Sequence, residues 1–294
     1  MFHDHPEERT VSDPATAEGL IEPLRSQPRG GSLKPFLTRF AMLLPAFNPR
    51  VWSREAARAL CRASLDSYED DHEGGELVSA ESTDTQAMIF SNESDCILAF
   101  RGTSSAEDAK TDARATRTDW NGYAAHYGFV NAYFSIRPKI ISALTPRLSH
   151  GQRLHITGHS LGGALATLAG WDLAHTGNPG GIYTFGSPRV FGRSSSKRAD
   201  EIFSGRYFRV VNSNDIIPRI PRLFRRNLGW LPGWFPWMPT TRPLRHCGRH
   251  VLLTEDGFAL HKPGRARVML ERIIGFRADL ARDHFLAAYL GALS

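Results

Sequence analysis

The sequence predicts an α/β fold in which a mainly parallel sheet is covered by helices on both faces. Short apolar segments of strand length alternate with longer segments of helical period, and short polar turns separate them. This alternation favours parallel strands, because parallel neighbours need a crossover long enough to form a helix. The 294 residues are enough for one large domain of this kind.

The N-terminal part divides into an arm and the start of the domain. Residues 1–32 carry Pro, Gly, Ser and charge without any period, which predicts a disordered arm before a single domain at 33–294. Residues 36–47 form one apolar stripe at helical spacing, which predicts a core helix or an anchor at a membrane surface. Ser53 then caps a second helix whose apolar face includes Tyr68.

The remaining elements follow from the same patterns. Strands are predicted at 86–90, 96–100, 153–157, 181–185, 207–212 and 250–254. Helices are predicted at 129–148 with an interruption near Pro138, at 161–174, at 197–203, and over most of 266–293 with a break near Gly275.

Composition limits the classes of function. The formal net charge of +6 suits an anionic partner, but no basic helix or aromatic-basic sheet motif accompanies it, so nucleic acid is not expected. The three cysteines show no CxxC spacing, so neither a disulfide scaffold nor a zinc site is expected. The sequence MFHDHPEERT is too polar for a secretory signal, and no segment has the apolar length of a membrane span. We therefore expect a cytoplasmic or peripheral membrane location, with secretion by another route left open.

The strongest chemical signal is a serine flanked by glycines between a strand and a helix. Gly158-His-Ser160-Leu-Gly162 follows an apolar strand and precedes an Ala/Leu-rich helix. A strand-to-helix turn this tight leaves no room for side chains at Gly158 and Gly162, and it projects the serine hydroxyl above the sheet. Ser160 is therefore the predicted nucleophile, although a glycine-rich helix start with a capping serine has the same residues.

A serine hydroxyl needs a base to take its proton and an acid to orient that base, and in this architecture the acid comes next along the chain. Asp215 directly follows an apolar strand, at the edge where such a carboxylate must stand. Four other carboxyl groups are less well placed: Asp200, Glu201, Asp256 and Asp283. Asp215 could also be a turn residue before Pro218.

The predicted base is His284, which opens an apolar helical tail ten residues from the C-terminus. His246 remains an alternative. His250 begins a predicted strand and His261 lies in a polar segment, so both are less suitable.

The oxyanion of an acyl-transfer intermediate needs two backbone N–H donors. Leu161, directly after the nucleophile, is expected to supply one. Thr103 is the candidate for the other, because Gly102 ends a strand and lets the backbone turn towards the substrate.

Together these residues resemble the class 3 lipases, a branch of the α/β-hydrolases, over residues 43–294. The motifs that carry the resemblance are Phe100-Arg-Gly-Thr103, Asp119-Trp120, His126-Tyr-Gly-Phe129, Gly158-His-Ser-Leu-Gly-Gly163, Thr184-Phe-Gly-Ser-Pro-Arg-Val190, Asn214-Asp-Ile-Ile-Pro218, Arg245-His-Cys-Gly248 and Asp283-His284. The resemblance implies an α/β-hydrolase fold, a triad of Ser160, Asp215 and His284, an oxyanion hole of Thr103 and Leu161, and a structural role for His246.

Two segments depart from that family pattern. The lid region, 104–120, is almost wholly small or charged, so opening at a lipid surface is not expected. The loop 219–244 holds three of the six tryptophans and four arginines at 219–226. Tryptophan favours the lipid headgroup layer and arginine pairs with phosphate, so this loop predicts an acyl-binding wall and contact with anionic membranes. The residues expected at that surface are Trp230, Trp234, Phe235 and Trp237, although they could instead cover apolar surface of the domain.

The sequence thus predicts a serine carboxylic ester hydrolase that cleaves acylglycerol-type esters through an acyl-enzyme. A phospholipase A or a short-chain or aromatic esterase is the alternative within the same chemistry, and a non-catalytic lipase-like binding module lies outside it. Neither a metal nor an organic cofactor is expected.

Overall fold

The structure, a computed structural model, describes residues 44–69, 75–102, 117–120, 122–212, 215, 217–219, 244–254, 259–261 and 284–294. The predicted arm at 1–32, most of the helical segment predicted at 266–293 and most of the two segments that depart from the family pattern lie outside these residues.

An eight-stranded sheet runs through the described part of the chain. Its strands are β1 (Glu76–Ala80), β2 (Thr85–Ser91), β3 (Asp95–Phe100), β6 (Arg153–His159), β7 (Asn178–Phe185), β8 (Tyr207–Asn212), β9 (Arg249–Leu253) and β10 (Ala259–His261), in that spatial order. The five strands from β3 to β9 are parallel, and β1, β2 and β10 extend the two edges in antiparallel pairing. The predicted α/β class with a mainly parallel sheet is confirmed.

Helices cover both faces of this sheet. One face carries α2 (Tyr127–Ser149), α3 (Leu161–Asp172) and α4 (Arg193–Phe203), and the other carries α1 (Arg54–Asp66) and α5 (Leu286–Ala292). Alternate residues of a strand enter the two cores, as period-2 side chains must: Leu98 and Phe100 lie on the first face, and Ile97 and Ala99 lie on the second. No described helix has the length and apolarity that a membrane span requires.

Local chemistry explains where the first helix begins. Ser53 has an extended backbone, and its side chain accepts a hydrogen bond from the N–H of Ala56 at 3.0 Å. The predicted cap is confirmed. The helix predicted at 36–47 does not extend to Phe47, because residues 44–48 are not helical. Residues 36–43 of that prediction lie outside the described part. Phe47 instead packs its ring on His155 and Tyr183.

The predicted interruption near Pro138 is wrong, since α2 is continuous from Tyr127 to Ser149 with Pro138 and Pro146 inside it. A proline removes one backbone donor and strains the preceding turn. Here the buried face of the helix, which includes Ile140 and Leu144, outweighs that loss.

A two-stranded hairpin that the sequence patterns do not reveal precedes α2. Its strands are β4 (Arg117–Trp120) and β5 (Tyr123–His126), and Trp120 is buried against Tyr133. The last four residues of the predicted lid region therefore form an ordered strand, while 104–116 lie outside the described residues.

Candidate active site

Ser160 stands on a strained turn between β6 and α3. Its φ of 55° and ψ of −125° lie in a region that side chains rarely adopt. The turn closes through its main chain, because the N–H of Ser160 donates to the carbonyl of Phe185 at 3.0 Å. Only 4% of Ser160 is exposed.

The two flanking glycines are required by contact. A Cβ at Gly158 would meet the carbonyl of Gly162, and a Cβ at Gly162 would meet the carbonyl of Phe100. Both obstacles are backbone atoms, which cannot rotate away as a side chain can. The serine turn therefore depends on close approach between β6, α3 and the end of β3, as expected from the sequence.

Three of the predicted residues meet at the carboxyl edge of the sheet. His284 Nε2 lies 2.9 Å from Ser160 Oγ, and His284 Nδ1 lies 2.9 Å from Asp215 Oδ2. A neutral imidazole with its proton on Nδ1 donates to the carboxylate and accepts from the serine hydroxyl. The arrangement has the geometry of a nucleophile, a base and an orienting acid.

Asp215 has two further donors that hold its carboxylate. The N–H of Ile217 donates to Oδ1 at 2.9 Å, and the phenol of Tyr289 donates to Oδ2 at 2.5 Å. Burial and the adjacent Asp215 charge raise the pKa of Tyr289 well above its usual value, so the phenol keeps its proton. Tyr289 lies in α5, five residues after His284, and the sequence placed it only in an apolar tail.

Gly186 makes room for the histidine and the carboxylate. Its φ is 61°, and a Cβ there would lie 2.7 Å from Asp215 Oδ2 and 3.0 Å from His284 Nδ1. Gly186 follows β7, which lies between the strands that end at Ser160 and Asp215. Its motif was visible in the sequence, but its contact with the site depends on the strand order.

The histidines that were alternatives to His284 either make other hydrogen bonds or lie away from Ser160. His246 donates from Nε2 to the carbonyl of Pro218 at 2.6 Å, and burial holds its pKa well below the usual value. It thus supports the segment after Asp215 as a neutral group. His250 is the second residue of β9 and His261 ends β10, away from the serine turn.

The competing carboxyl groups that the structure describes have partners of their own. Asp200 accepts from the N–H of Gly248, and Glu201 pairs with Arg198. Asp256 and Asp283 lie outside the described residues.

One of the two predicted oxyanion donors is described. Leu161 is the first residue of α3, so its N–H is among those at the start of a helix that have no partner within it. Thr103 lies outside the described residues. Gly102, directly before it, lies beside the nucleophile, because a Cβ at Gly102 would be 3.4 Å from Ser160 Cβ.

The lipid-contact residues Trp230, Trp234, Phe235 and Trp237 also lie outside the described residues. Within the described part of the chain, no cluster of His, Cys, Asp or Glu side chains could hold a metal ion. Cys61, Cys96 and Cys247 are buried free thiols.

Two side chains close to the serine turn, the buried His159 and the partly buried Tyr68, have no role predicted from the sequence. His159 and Tyr68 hydrogen-bond to each other, with Tyr68 Oη 3.1 Å from His159 Nδ1. The helical spacing of apolar residues predicted that Tyr68 faces the core. No role was predicted for His159, which is part of the serine motif.

Comparison with known proteins gives the same fold. A triacylglycerol lipase, whose structure is described as having a serine protease triad as its catalytic centre, superposes with a TM-score of 0.62 at 21% identity, over 83% of this chain and 98% of that one. Lipase II from Rhizopus niveus superposes with a TM-score of 0.52 at 24% identity, over 73% of this chain and 79% of that one. The fold is therefore that of the α/β-hydrolases.

Sequence comparison is more specific but covers less of the chain. The secreted mono- and diacylglycerol lipase A of Penicillium cyclopium is 34% identical over 149 residues, which are 48% of this chain and 48% of the relative. The chain thus spans about half the length of that relative. Residues 97–224 match the model of the class 3 lipase family.

Proposed function

We propose that this protein is a serine carboxylic ester hydrolase that cleaves acylglycerol-type esters. The observation that carries the proposal is the pair of 2.9 Å contacts of His284 with Ser160 and Asp215. The names of the relatives support acylglycerols as the substrate class, since the matching relatives from Penicillium cyclopium and Fusarium solani are mono- and diacylglycerol lipases.

The reaction follows from the geometry of the three side chains. Ser160 Oγ attacks the ester carbonyl while His284 Nε2 takes the hydroxyl proton, and Asp215 stabilises the imidazolium that forms. The tetrahedral intermediate collapses when His284 returns that proton to the departing alcohol. Water then attacks the acyl carbonyl while His284 takes its proton, and His284 returns that proton to Ser160 Oγ as the carboxylic acid leaves.

The developing oxyanion is assigned to the N–H groups of Leu161 and Thr103. Removal of one such donor typically slows turnover by about 100-fold to 1,000-fold. The start of α3 adds the positive end of a helix behind the nucleophile.

Hydrolysis of a p-nitrophenyl ester series from short to long acyl chains tests the mechanism. We expect Ser160→Ala to reduce kcat by about a millionfold. Ser195→Ala is the matched control, because this buried serine donates to the carbonyl of Ala124 at 2.7 Å and has no contact with His284. Equal loss in both variants, or activity retained by Ser160→Ala, would contradict the proposed nucleophile.

Release of fatty acid from emulsified mono-, di- and triacylglycerol and from phosphatidylcholine tests the substrate class. Preferential release from the acylglycerols supports the proposal. Release from phosphatidylcholine alone identifies a phospholipase A, and hydrolysis of soluble esters alone identifies a short-chain or aromatic esterase. No hydrolysis of any ester would favour a non-catalytic binding module.

Contact with anionic membranes through Trp234 and Trp237 remains part of the proposal. Cosedimentation with phosphatidylglycerol vesicles should weaken in Trp234→Ala and Trp237→Ala, and unchanged binding by folded variants would refute the contact.

The matching fungal relatives are named as secreted. The cytoplasmic or peripheral location of this chain stays a prediction, which fractionation of cells and culture medium would test.

A further inference from the structure

A chain of hydrogen bonds joins the two sides of Ser160 without including it. The N–H of Gly102 lies 3.1 Å from Tyr68 Oη, and Tyr68 Oη lies 3.1 Å from His159 Nδ1. His159 Nε2 in turn lies 2.6 Å from the main-chain carbonyl of His284. The chain thus runs from the residue before the predicted donor Thr103 to the residue that carries the proposed base.

The direction of each hydrogen bond follows from its ends. The carbonyl of His284 can only accept, so His159 Nε2 carries a proton and donates it. Burial, with the neighbouring His284, lowers the pKa of His159 to about 3, so its ring is neutral and Nδ1 accepts. Burial raises the pKa of Tyr68 to about 12, so the phenol donates to His159 and accepts from Gly102.

The contacts around Gly102 show how closely this chain borders the nucleophile. A Cβ at Gly102 would meet the Tyr68 hydroxyl, and it would lie 2.7 Å from the carbonyl of His159. On the other side of Ser160, the rings of His159 and His284 have centroids 4.5 Å apart. A displacement of Tyr68 would therefore shift the turn before Thr103. Through His159 it would also shift the backbone of His284.

The hydrogen bond of Gly102 also decides which N–H group is left for substrate. Because the Gly102 N–H donates to Tyr68, it is not directed at an oxyanion. The next N–H along the chain is that of Thr103, the donor proposed from the sequence.

We propose that Tyr68 and His159 are positioning residues that hold the Gly102 turn and the main chain of His284 at a fixed spacing about Ser160. This role rests on the proposed ester hydrolysis. In the described contacts neither side chain hydrogen-bonds to Ser160 Oγ or to the His284 ring. Tyr68 acts through the main chain of Gly102, and His159 acts through the main chain of His284. The spacing matters because a displacement of about 1 Å at a reacting centre can slow turnover by about 100-fold.

The test compares Tyr68→Phe, His159→Gln and the double variant in hydrolysis of p-nitrophenyl butyrate. Tyr68→Phe removes the shared hydroxyl, and His159→Gln keeps an amide donor for the His284 carbonyl but offers no acceptor at the position of Nδ1. We expect each single variant to lower kcat about tenfold with KM within about twofold of wild type, since transition-state alignment is lost and substrate contacts are kept. The double variant should also fall about tenfold, because two changes to one network are not additive.

Tyr183→Phe is the matched control. Its hydroxyl accepts from the N–H of Ser53 at 3.4 Å, on the same face of the sheet but away from Ser160. Titration of active serines with a fluorophosphonate gives the concentration of folded sites. Because kcat is divided by this concentration, a smaller folded fraction does not lower the measured kcat.

The outcomes separate the positioning role from the proposed function. A wild type without hydrolysis dependent on Ser160 would overturn the proposed function and the positioning role with it. An active wild type with Tyr68→Phe and His159→Gln at the kcat of Tyr183→Phe would overturn the positioning role alone. Independent losses that multiply to about 100-fold in the double variant would also overturn it, because the two residues would not act through one network.

Discussion

Replacement of Gly186 by alanine should damage catalysis through contact with two members of the proposed triad. At φ 61° an alanine is strained by roughly 1 kcal/mol relative to glycine. Its Cβ would lie 2.7 Å from Asp215 Oδ2 and 3.0 Å from His284 Nδ1. Contacts this short force the carboxylate or the imidazole to move by several tenths of an ångström.

The magnitude follows from these two effects. The free energy of unfolding should fall by about 1 kcal/mol from backbone strain and by about 1–2 kcal/mol more from crowding. Displacement of His284 relative to Ser160 should lower kcat at least about tenfold, on the scale of about 100-fold per ångström of misplacement. KM should change little, because Gly186 borders the acid and the base rather than the substrate.

Gly177→Ala isolates the backbone effect from the contact effect. Gly177 has a φ of 49°, and the nearest atom to a Cβ there, on Leu148, is 3.9 Å away. This variant should lose about 1 kcal/mol of stability and keep the wild-type kcat. Urea unfolding and p-nitrophenyl butyrate kinetics measure both quantities, and a Gly186→Ala enzyme with the kcat of Gly177→Ala would refute the contact argument.

The remaining predictions concern the support of the site. Tyr289→Phe removes the donor to Asp215 Oδ2, so the free energy of unfolding should fall by about 2 kcal/mol and kcat should fall with KM retained; unchanged urea unfolding would contradict the bond. His159 binds a proton below pH 6.5 when unfolded but only near pH 3 when folded. The free energy of unfolding should therefore decline as the pH falls through this window, by up to about 1.4 kcal/mol per pH unit. Urea unfolding at several pH values should show a shallower decline in His159→Gln, and an identical slope would show that His159 is not neutral in the folded protein.

The sequence patterns predicted the parallel part of the sheet well. The strands β3, β6, β7 and β8 were expected to within three residues at each end, because buried strands read as continuous apolar segments. The hairpin of β4 and β5 was not expected, since Arg117–Trp120 is mostly polar and reads like the charged segment before it. Pro138 predicted a break that packing of α2 prevents.

The sequence alone predicted the site residues whose placement depends on their neighbours along the chain. Ser160 could be predicted as the nucleophile because the turn that presents it is local, and its steric demands fall on Gly158 and Gly162 in the same stretch. Asp215 could be predicted as the acid for a similar reason, since it directly follows a strand.

Only the tertiary structure established the contacts between residues that lie far apart in the sequence. The sequence predicted His284 as the base but left His246 open, and the contact of His284 with Ser160, 124 residues away, depends on the packing of α5 against the sheet. Contacts of Tyr289, Gly186, Tyr68 and His159 with the site were not predicted, because the packing of distant elements brings these residues together and no local pattern records it. Hydrogen bonds act over about 3 Å, so the partners of a side chain are fixed only when the elements on both sides have been placed.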